Sequence, residues 1–240
     1  MKEVLKINGL QIGYKGNALM PPIDALLHEG EAVALVGANG SGKTTLFKTL
    51  TGSLKPLAGQ VELCGRPLES YTPNERAKLF SLVLTEKPDD LFLSVFDLVA
   101  AGRYPHSGLM AKLSEEDVEM IKAKLQVVGV EHLINRDFVS LSDGEKQKVM
   151  IAKALVQDTP IIYMDEPSAF LDYPSKVELL HLISRLATEE GKSILYSSHD
   201  LELLLKHAST MWVVAKGKPM VIGKTNETQE KGILQDYLGY

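Results

Sequence analysis

The sequence EAVALVGANGSGKTTLFKTLTG, residues 31–52, decides the fold. Its apolar run, residues 32–36, predicts a buried strand, and a helical pattern follows that stops at Gly52, a residue type favoured just past a helix end. Between them lies the pattern G-x-x-x-x-G-K-[ST], formed by Gly37, Gly42, Lys43 and Thr44. Strand, glycine-rich loop and helix in this order predict a phosphate-binding P-loop.

The residue types in this loop suit a nucleotide with magnesium. Gly37, Gly40 and Gly42 allow the backbone to turn tightly, so that successive N–H groups can point at phosphate oxygens. The helix that starts near Lys43 adds its positive N-terminal end. The lysine can reach the outer phosphates, and the Thr44 hydroxyl can bind magnesium. A glycine-rich loop could match this pattern by chance, but the flanking strand and helix argue against that.

Length and composition bound the class of protein. The chain has 240 residues, of which 45% are hydrophobic and 24% charged, as expected for one globular α/β domain. The net charge of −5 gives no reason to expect nucleic acid as the main partner. No apolar run approaches the roughly 18 residues of a membrane span, and we expect no signal peptide. Cys64 is the only cysteine, which excludes an internal disulfide and fits a reducing compartment.

A second nucleotide signal follows another predicted buried strand, residues 161–164, where the chain reads Asp165-Glu166. An acid at this strand end can hold magnesium through its water shell, opposite Thr44. Glu166 is placed to polarise an attacking water. The same pair alone could be a surface turn, but its position downstream of a P-loop favours the catalytic interpretation.

The sequence LSDGE, residues 141–145, resembles the signature loop of ATP-binding cassette (ABC) ATPases, usually written LSGGQ. Leu141, Ser142 and Gly144 match, whereas Asp143 and Glu145 depart. In that family the loop binds the γ-phosphate of the nucleotide held by the opposite subunit. A serine hydroxyl, a glycine and a helix N-terminus suit that task physically. The same residues would also make an ordinary helix cap.

The resemblance to ABC transporter ATPase subunits covers residues 5–223 and implies the architecture. We expect an α/β fold with a mainly parallel P-loop NTPase sheet, an N-terminal antiparallel β-region and an inserted α-helical subdomain. The mostly helical stretch 87–136 interrupts the strand–helix alternation and predicts the same insertion. The expected nucleotide-binding core is 1–86 with 158–240, and the helical subdomain with its signature loop is 87–157.

The resemblance also implies partners and site residues. It predicts a homodimer, bound to integral-membrane permease subunits at the cytoplasmic face of the membrane and served indirectly by a substrate-binding protein. ATP is the expected nucleotide, with Mg²⁺ as cofactor. The expected nucleotide contacts are Tyr14, Gly37, Ala38, Asn39, Gly40, Ser41, Gly42, Lys43, Thr44, Thr45, Ser142 and Gly144. Lys43, Glu166 and His199 are the expected catalytic residues.

Three of these roles come from the resemblance alone. Tyr14 matches the aromatic residue that stacks on adenine, and His199 matches the switch histidine that contacts the γ-phosphate. Asp172 is the acid of the loop SAFLD, residues 168–172, which meets its counterpart across the dimer.

One family motif is missing. The usual strand-end glutamine should fall in SLVLTEKPDD, residues 81–90, which contains no glutamine. Thr85 occupies its position and Glu86 follows. We expect Thr85 to act on magnesium through a water, alongside Thr44 and Asp165, and Glu86 to face the helical subdomain and the permease.

The sequence AGRYPH, residues 101–106, resembles the ATPases of importers for iron chelates, haem and cobalamin. One alternative is a non-transport ABC protein acting as a scaffold or repair ATPase. The single cysteine and the lack of sustained heptads argue against it. A P-loop small-molecule kinase would explain the P-loop but leave LSDGE, Glu166 and His199 as coincidences.

Overall fold

The computed structural model describes residues 2–85, 92–108, 112–230 and 232–239. Its strands, in chain order, are β1 Glu3–Gln11, β2 Gly13–Tyr14, β3 Asn17–Ala18, β4 Ile23–His28, β5 Ala32–Val36, β6 Ala58–Leu63, β7 Arg66–Pro67, β8 Phe80–Val83, β9 Ile161–Met164, β10 Ser193–Ser198, β11 Thr210–Val213 and β12 Val221–Lys224. Its α-helices are α1 Lys43–Leu50, α2 Pro73–Arg76, α3 Val95–Ala100, α4 Tyr104–Ser107, α5 Glu115–Val127, α6 Asp143–Val156, α7 Tyr173–Thr188, α8 Leu201–His207, α9 Thr225–Glu230 and α10 Ile233–Leu238.

The larger sheet carries the apolar strands predicted from the sequence. Within the described residues its strand order is β12-β11-β5-β10-β9-β8. All neighbours are parallel except β12, which pairs antiparallel with β11. The run of residues 32–36 is β5, between β11 and β10. Its buried side chains contribute to the hydrophobic clusters on both faces of the sheet, as a continuous apolar strand requires.

The N-terminal region forms an antiparallel sheet, in the order β4-β1-β6-β7. Its strand β1 contributes Leu5 and Ile7 to a buried cluster that also contains Val33 of β5, Leu46 of α1 and Trp212 of β11. The antiparallel sheet and α1 therefore cover one face of the larger sheet, and the predicted antiparallel β-region is confirmed.

The helical insertion covers the other face. Val99 of α3, Ile121 of α5 and Ile151 of α6 share one buried cluster with Ala34 of β5 and Ile162 of β9. The insertion predicted from the sequence is therefore confirmed as part of the fold, and its core is continuous with that of the sheet.

The start of α5 is fixed by a capping box. Its N-cap residue, Ser114, accepts the main-chain N–H of Asp117, whose carboxylate in turn accepts from Arg103 at 2.7 Å. Acids in the first turn, Glu115 and Glu116, add a favourable charge at this capped helix start. Among the described residues, no helix is both long and apolar enough to cross a membrane.

Parallel strands bring their carboxyl ends to one edge of the sheet, and the predicted chemistry lies there. The P-loop follows β5, and the acid pair Asp165 and Glu166 follows β9. His199 comes directly after β10, and Thr85 lies two positions beyond the end of β8. The strand order places these four segments side by side.

Candidate nucleotide site

The glycine-rich loop joins β5 to α1 and leaves the first turn of that helix open. Gly40 and Gly42 have φ of 78° and 109°, left-handed values that residues with a Cβ rarely adopt. At Gly37 a Cβ would lie 2.7 Å from the carbonyl oxygen of Val214, so only glycine fits there. Among the described residues, no side chain caps α1 and no acid lies in its first turn. Its N–H groups are therefore available to an anion.

Two buried polar groups lie in the same loop. The Ser41 hydroxyl is buried and has no hydrogen-bond partner within the described part of the chain. Lys43 is also buried, and its ammonium donates to the Gly37 carbonyl at 2.7 Å. Ala38 and Asn39 form the exposed tip of the loop. Because an unpaired buried hydroxyl is costly, Ser41 and the open helix start together fit a phosphate group.

Hydrogen bonds hold Asp165 from three sides. Thr44 lies on the exposed side of α1, and its hydroxyl donates to Oδ2 of Asp165 at 3.2 Å. The neighbouring Thr45 is buried. The hydroxyl of Ser197 donates to Oδ1 at 2.7 Å. Thr85 donates to the main-chain carbonyl of Asp165, also at 2.7 Å.

Thr44 and Asp165 present hard oxygen donors next to each other, the ligand type that magnesium prefers, so these residues fit the cofactor. Thr85 lies in the same cluster, but its hydroxyl donates its proton to the main-chain carbonyl of Asp165. Its assignment as a water-mediated magnesium ligand stays a prediction. Glu86 lies outside the described residues.

The carboxylate of Glu166 lies between two nitrogen groups. Its Oε1 is 3.4 Å from the Lys43 ammonium, and its Oε2 is 2.8 Å from Nδ1 of His199. The Glu166 side chain is 17% exposed, whereas that of His199 is 58% exposed and forms the rim of the site. The structure thus brings together the three residues that the sequence predicts as catalytic.

Ser142 is the N-cap residue of α6 and also forms a capping box. Its hydroxyl donates to the Glu145 carboxylate at 2.7 Å, and its main-chain N–H donates to the same carboxylate at 2.8 Å. These hydrogen bonds lower the pKa of Glu145. Asp143 occupies the first helical position, and Gly144 lies against α7, where an added Cβ would be 3.7 Å from the Ser175 hydroxyl. The hydrogen bonds between Ser142 and Glu145 therefore stay within their own helix start.

Tyr14 lies on the β2–β3 hairpin next to the P-loop. A Cβ at Gly42 would be 3.0 Å from Met20 and 3.5 Å from Leu19, residues that directly follow this hairpin. The Tyr14 side chain is exposed and therefore accessible to a stacking partner.

The loop between β9 and α7, together with the first residue of α7, presents aromatic side chains to solvent. Phe170 is 77% exposed with a φ of 65°, and Tyr173 is also exposed. Asp172 is the N-cap of α7 and accepts the main-chain N–H of Ser175 at 3.0 Å. Hydrogen bonds from Ser175 lower the pKa of Asp172.

Ser197 is the residue of this site that sequence reasoning missed. It is fully buried in β10, and its hydroxyl contacts both members of the acid pair. The available signal was a polar residue inside an otherwise apolar strand, since a buried hydroxyl needs a partner.

Comparison with known proteins places this geometry in a family. The family described as ABC transporter matches residues 21–169. Over 233 residues the chain is 36% identical to an uncharacterised ABC transporter ATP-binding protein of Methanocaldococcus jannaschii, covering 97% of this chain and 80% of that protein. It is 31% identical to the ferric enterobactin transport ATP-binding protein of Escherichia coli, covering 99% of this chain and 89% of that protein.

A solved structure supports the same conclusion. An inward-facing metal-chelate type ABC transporter has a chain that matches with a TM-score of 0.87 at 25% identity, covering 100% of this chain and 90% of that one. The resemblance predicted from the motifs is confirmed: this chain belongs to the ABC transporter family.

Proposed function

We propose that this chain is the ATP-hydrolysing, energy-coupling subunit of an ABC importer for an iron chelate. The observation that carries the proposal is the convergence of Lys43, Thr44, Asp165, Glu166 and His199 at one edge of the sheet. The substrate class is supported by the relatives, one of which is a ferric enterobactin transport protein. A kinase would not need the signature loop, and the characterised relative named here acts in transport rather than in scaffolding or repair.

Nucleotide binding is the task of the P-loop and the β2–β3 hairpin. The open N–H groups at the start of α1 and the Ser41 hydroxyl donate to phosphate oxygens, and Tyr14 stacks on the adenine. Lys43 exchanges its contacts with the Gly37 carbonyl and Glu166 for the outer phosphates. This exchange is favourable because a phosphate is a stronger partner for an ammonium than a neutral carbonyl.

Hydrolysis depends on the freed carboxylate of Glu166. It accepts a proton from the attacking water through Oε1, while His199 holds Oε2 and so fixes the orientation of the base. Thr44 and Asp165 would hold magnesium, which would neutralise charge on the phosphate oxygens when bound.

The complete site needs two chains. Ser142 and Gly144 of one chain bind the phosphates at the P-loop of the other, and the Asp172 loops meet between them. Residues 1–86 and 158–240 act as the core, and 87–157 as the helical subdomain. This dimer binds a permease at the cytoplasmic face of the membrane and receives its substrate through a separate binding protein.

The direct test is Glu166→Gln. Loss of a positioned general base lowers turnover about 10²- to 10⁴-fold. ATP binding should persist, because the phosphate-binding groups are intact, and the ATP-bound protein should elute from gel filtration as a dimer. ATP hydrolysis without an added acceptor and elution volume with and without ATP are the two measurements.

Glu202→Gln, on the exposed side of α8, is the matched control and should hydrolyse ATP at the parent rate. A Glu166→Gln protein that turns over normally would refute the assigned base.

Two further experiments test the partner and the substrate. Co-purification from native membranes should recover an integral-membrane permease. Growth on an iron chelate as the only iron source should require the gene.

A further inference from the structure

We infer that Ser197 is a positioning residue for ATP hydrolysis, which acts by fixing both Asp165 and Glu166. The inference rests on the proposed roles of these two acids. It assigns a function to a buried hydroxyl that does not itself touch the substrate.

The strand register brings Ser197 to the acid pair. In the parallel pair β10–β9, Leu195 lies opposite Tyr163 and Tyr196 opposite Met164. The next position along places Ser197 beside Asp165, just where β9 ends. The serine is fully buried, so its hydroxyl has protein partners and not bulk water.

The hydroxyl is fully used. It donates to Oδ1 of Asp165 at 2.7 Å and accepts the main-chain N–H of Glu166 at 2.7 Å. A serine hydroxyl has one donor and can accept at the same time, whereas an alanine can do neither. Removal of the Ser197 hydroxyl would leave Oδ1 of Asp165 and the main-chain N–H of Glu166 without this hydrogen-bond partner in a partly buried site.

The bond to Glu166 supports an unfavourable backbone conformation. Glu166 has a φ of 47°, in the left-handed region that residues with a Cβ rarely adopt. In this conformation its carboxylate reaches Lys43 and His199. Ser197 holds the peptide N–H of this residue and thereby helps to aim the base.

The bond to Asp165 fixes the rotation of its carboxylate. Ser197 occupies Oδ1, and Oδ2 then faces the Thr44 hydroxyl at 3.2 Å. Partners that orient a ligand in this way typically matter about 10- to 100-fold for metal affinity or activity.

The experiment compares Ser197→Ala with Ser198→Ala. Ser198 is the neighbouring buried serine of the same strand, but its hydroxyl accepts the N–H of Asp200 instead. We expect Ser197→Ala to lower kcat about 10- to 100-fold, with Ser198→Ala near the parent. Ser197→Thr, which keeps the hydroxyl, should restore most of the rate.

A second readout does not depend on turnover. In a Glu166→Gln background, affinity for a fluorescent ATP analogue is measured with and without magnesium. Ser197→Ala should reduce the gain in affinity that magnesium gives and leave the magnesium-free affinity unchanged, because the P-loop is intact. If Ser197→Ala fails to fold, Ser197→Cys replaces it in the comparison with Ser198→Ala. Cysteine keeps the shape of the side chain but is a weak hydrogen-bond donor.

Equal kcat and equal magnesium dependence for Ser197→Ala and Ser198→Ala would overturn the inference. Normal hydrolysis by Glu166→Gln would instead overturn the proposed base, and a parent protein without magnesium-dependent hydrolysis would overturn the proposed function. The outcomes therefore separate failure of the positioning role from failure of the account on which it rests.

Discussion

Two helix starts in this chain suit an anion, but they differ in what already occupies them. At α1 the N-cap is Gly42, in a left-handed conformation, with no side-chain cap and no acid in the first turn of the described helix. At α6 the N-cap is Ser142, whose hydroxyl and N–H are both bound by the Glu145 carboxylate. One start is open to an external phosphate, whereas the other carries its own anion.

The difference bears on how the two loops act in the proposed dimer. The P-loop can bind nucleotide in a single chain, since its N–H groups and Lys43 need only exchange local contacts. In the proposed dimer, the signature loop would bind a phosphate beside the Glu145 carboxylate, which lies in the first turn of α6. We therefore expect the negative charge of Glu145 to oppose phosphate binding until closure supplies enough contacts.

The largest effect should come from breaking the open site with Lys43→Ala. Hydrogen bonds to charged groups contribute about 1.5–3 kcal/mol, so ATP affinity should fall about 10- to 150-fold. Titration calorimetry with ATP measures this. Lys48→Ala is the control, because Lys48 lies on the same helix but is exposed in its last turn. Equal affinities for the two variants would contradict the assigned role of Lys43.

A smaller effect should come from removing the internal anion with Glu145→Gln. Glutamine preserves the capping box, so the helix start is retained while its charge is lost. Two like charges about 4 Å apart repel by roughly 1 kcal/mol in bulk water, so removal of one of them should tighten ATP-dependent dimerisation about fivefold.

Gel filtration or light scattering against ATP concentration measures this change, in a Glu166→Gln background to prevent turnover. Glu202→Gln in the same background is the matched control. A dimerisation constant that is unchanged or weaker in Glu145→Gln would show that the carboxylate does not oppose closure.

The smallest effect concerns stability at low pH. Because the folded state lowers the pKa of Glu145, its ionised form stabilises the fold above the unfolded pKa of about 4.3. This contribution is lost as pH falls through the folded pKa. Denaturant unfolding from pH 7 to pH 3 should therefore show the difference between the parent and Glu145→Gln shrinking with acid.

Glu75→Gln is a positive control for the same experiment. Thr72 donates to the Glu75 carboxylate through both its N–H and its hydroxyl, and these bonds lower the pKa of Glu75 in the same way. A pH-independent difference for both variants would refute the explanation.

Local patterns account for what the sequence predicts well. The P-loop is recognisable because its glycines, lysine and threonine are contiguous, between an apolar run and a helix. The starts of α2 and α5 are equally local, because Thr72 and Ser114 each bond within one turn of their own helices. The strands β5 and β9 are confirmed because runs of five and four apolar residues directly precede the P-loop and the acid pair.

The features that the sequence did not predict are contacts that depend on how neighbouring strands align and on which rotamers the side chains adopt. The role of Ser197 follows from the register of β10 against β9, which no local pattern reveals. The bond from Thr85 to the Asp165 carbonyl depends on how β8 lies beside β9. The sequence shows that Glu145 departs from the family pattern, but only the folded helix start shows that it binds Ser142.

The most direct test of the central claim mixes two inactive variants. If one nucleotide needs the P-loop of one chain and the signature loop of the other, Lys43→Ala and Ser142→Arg chains should form a heterodimer with one doubly defective and one intact site. Each variant alone should hydrolyse ATP slowly, and mixing should restore up to about half the parental rate per heterodimer if the two sites act independently. Activity that never rises above either variant alone, with heterodimers verified by differential tags, would contradict the shared site.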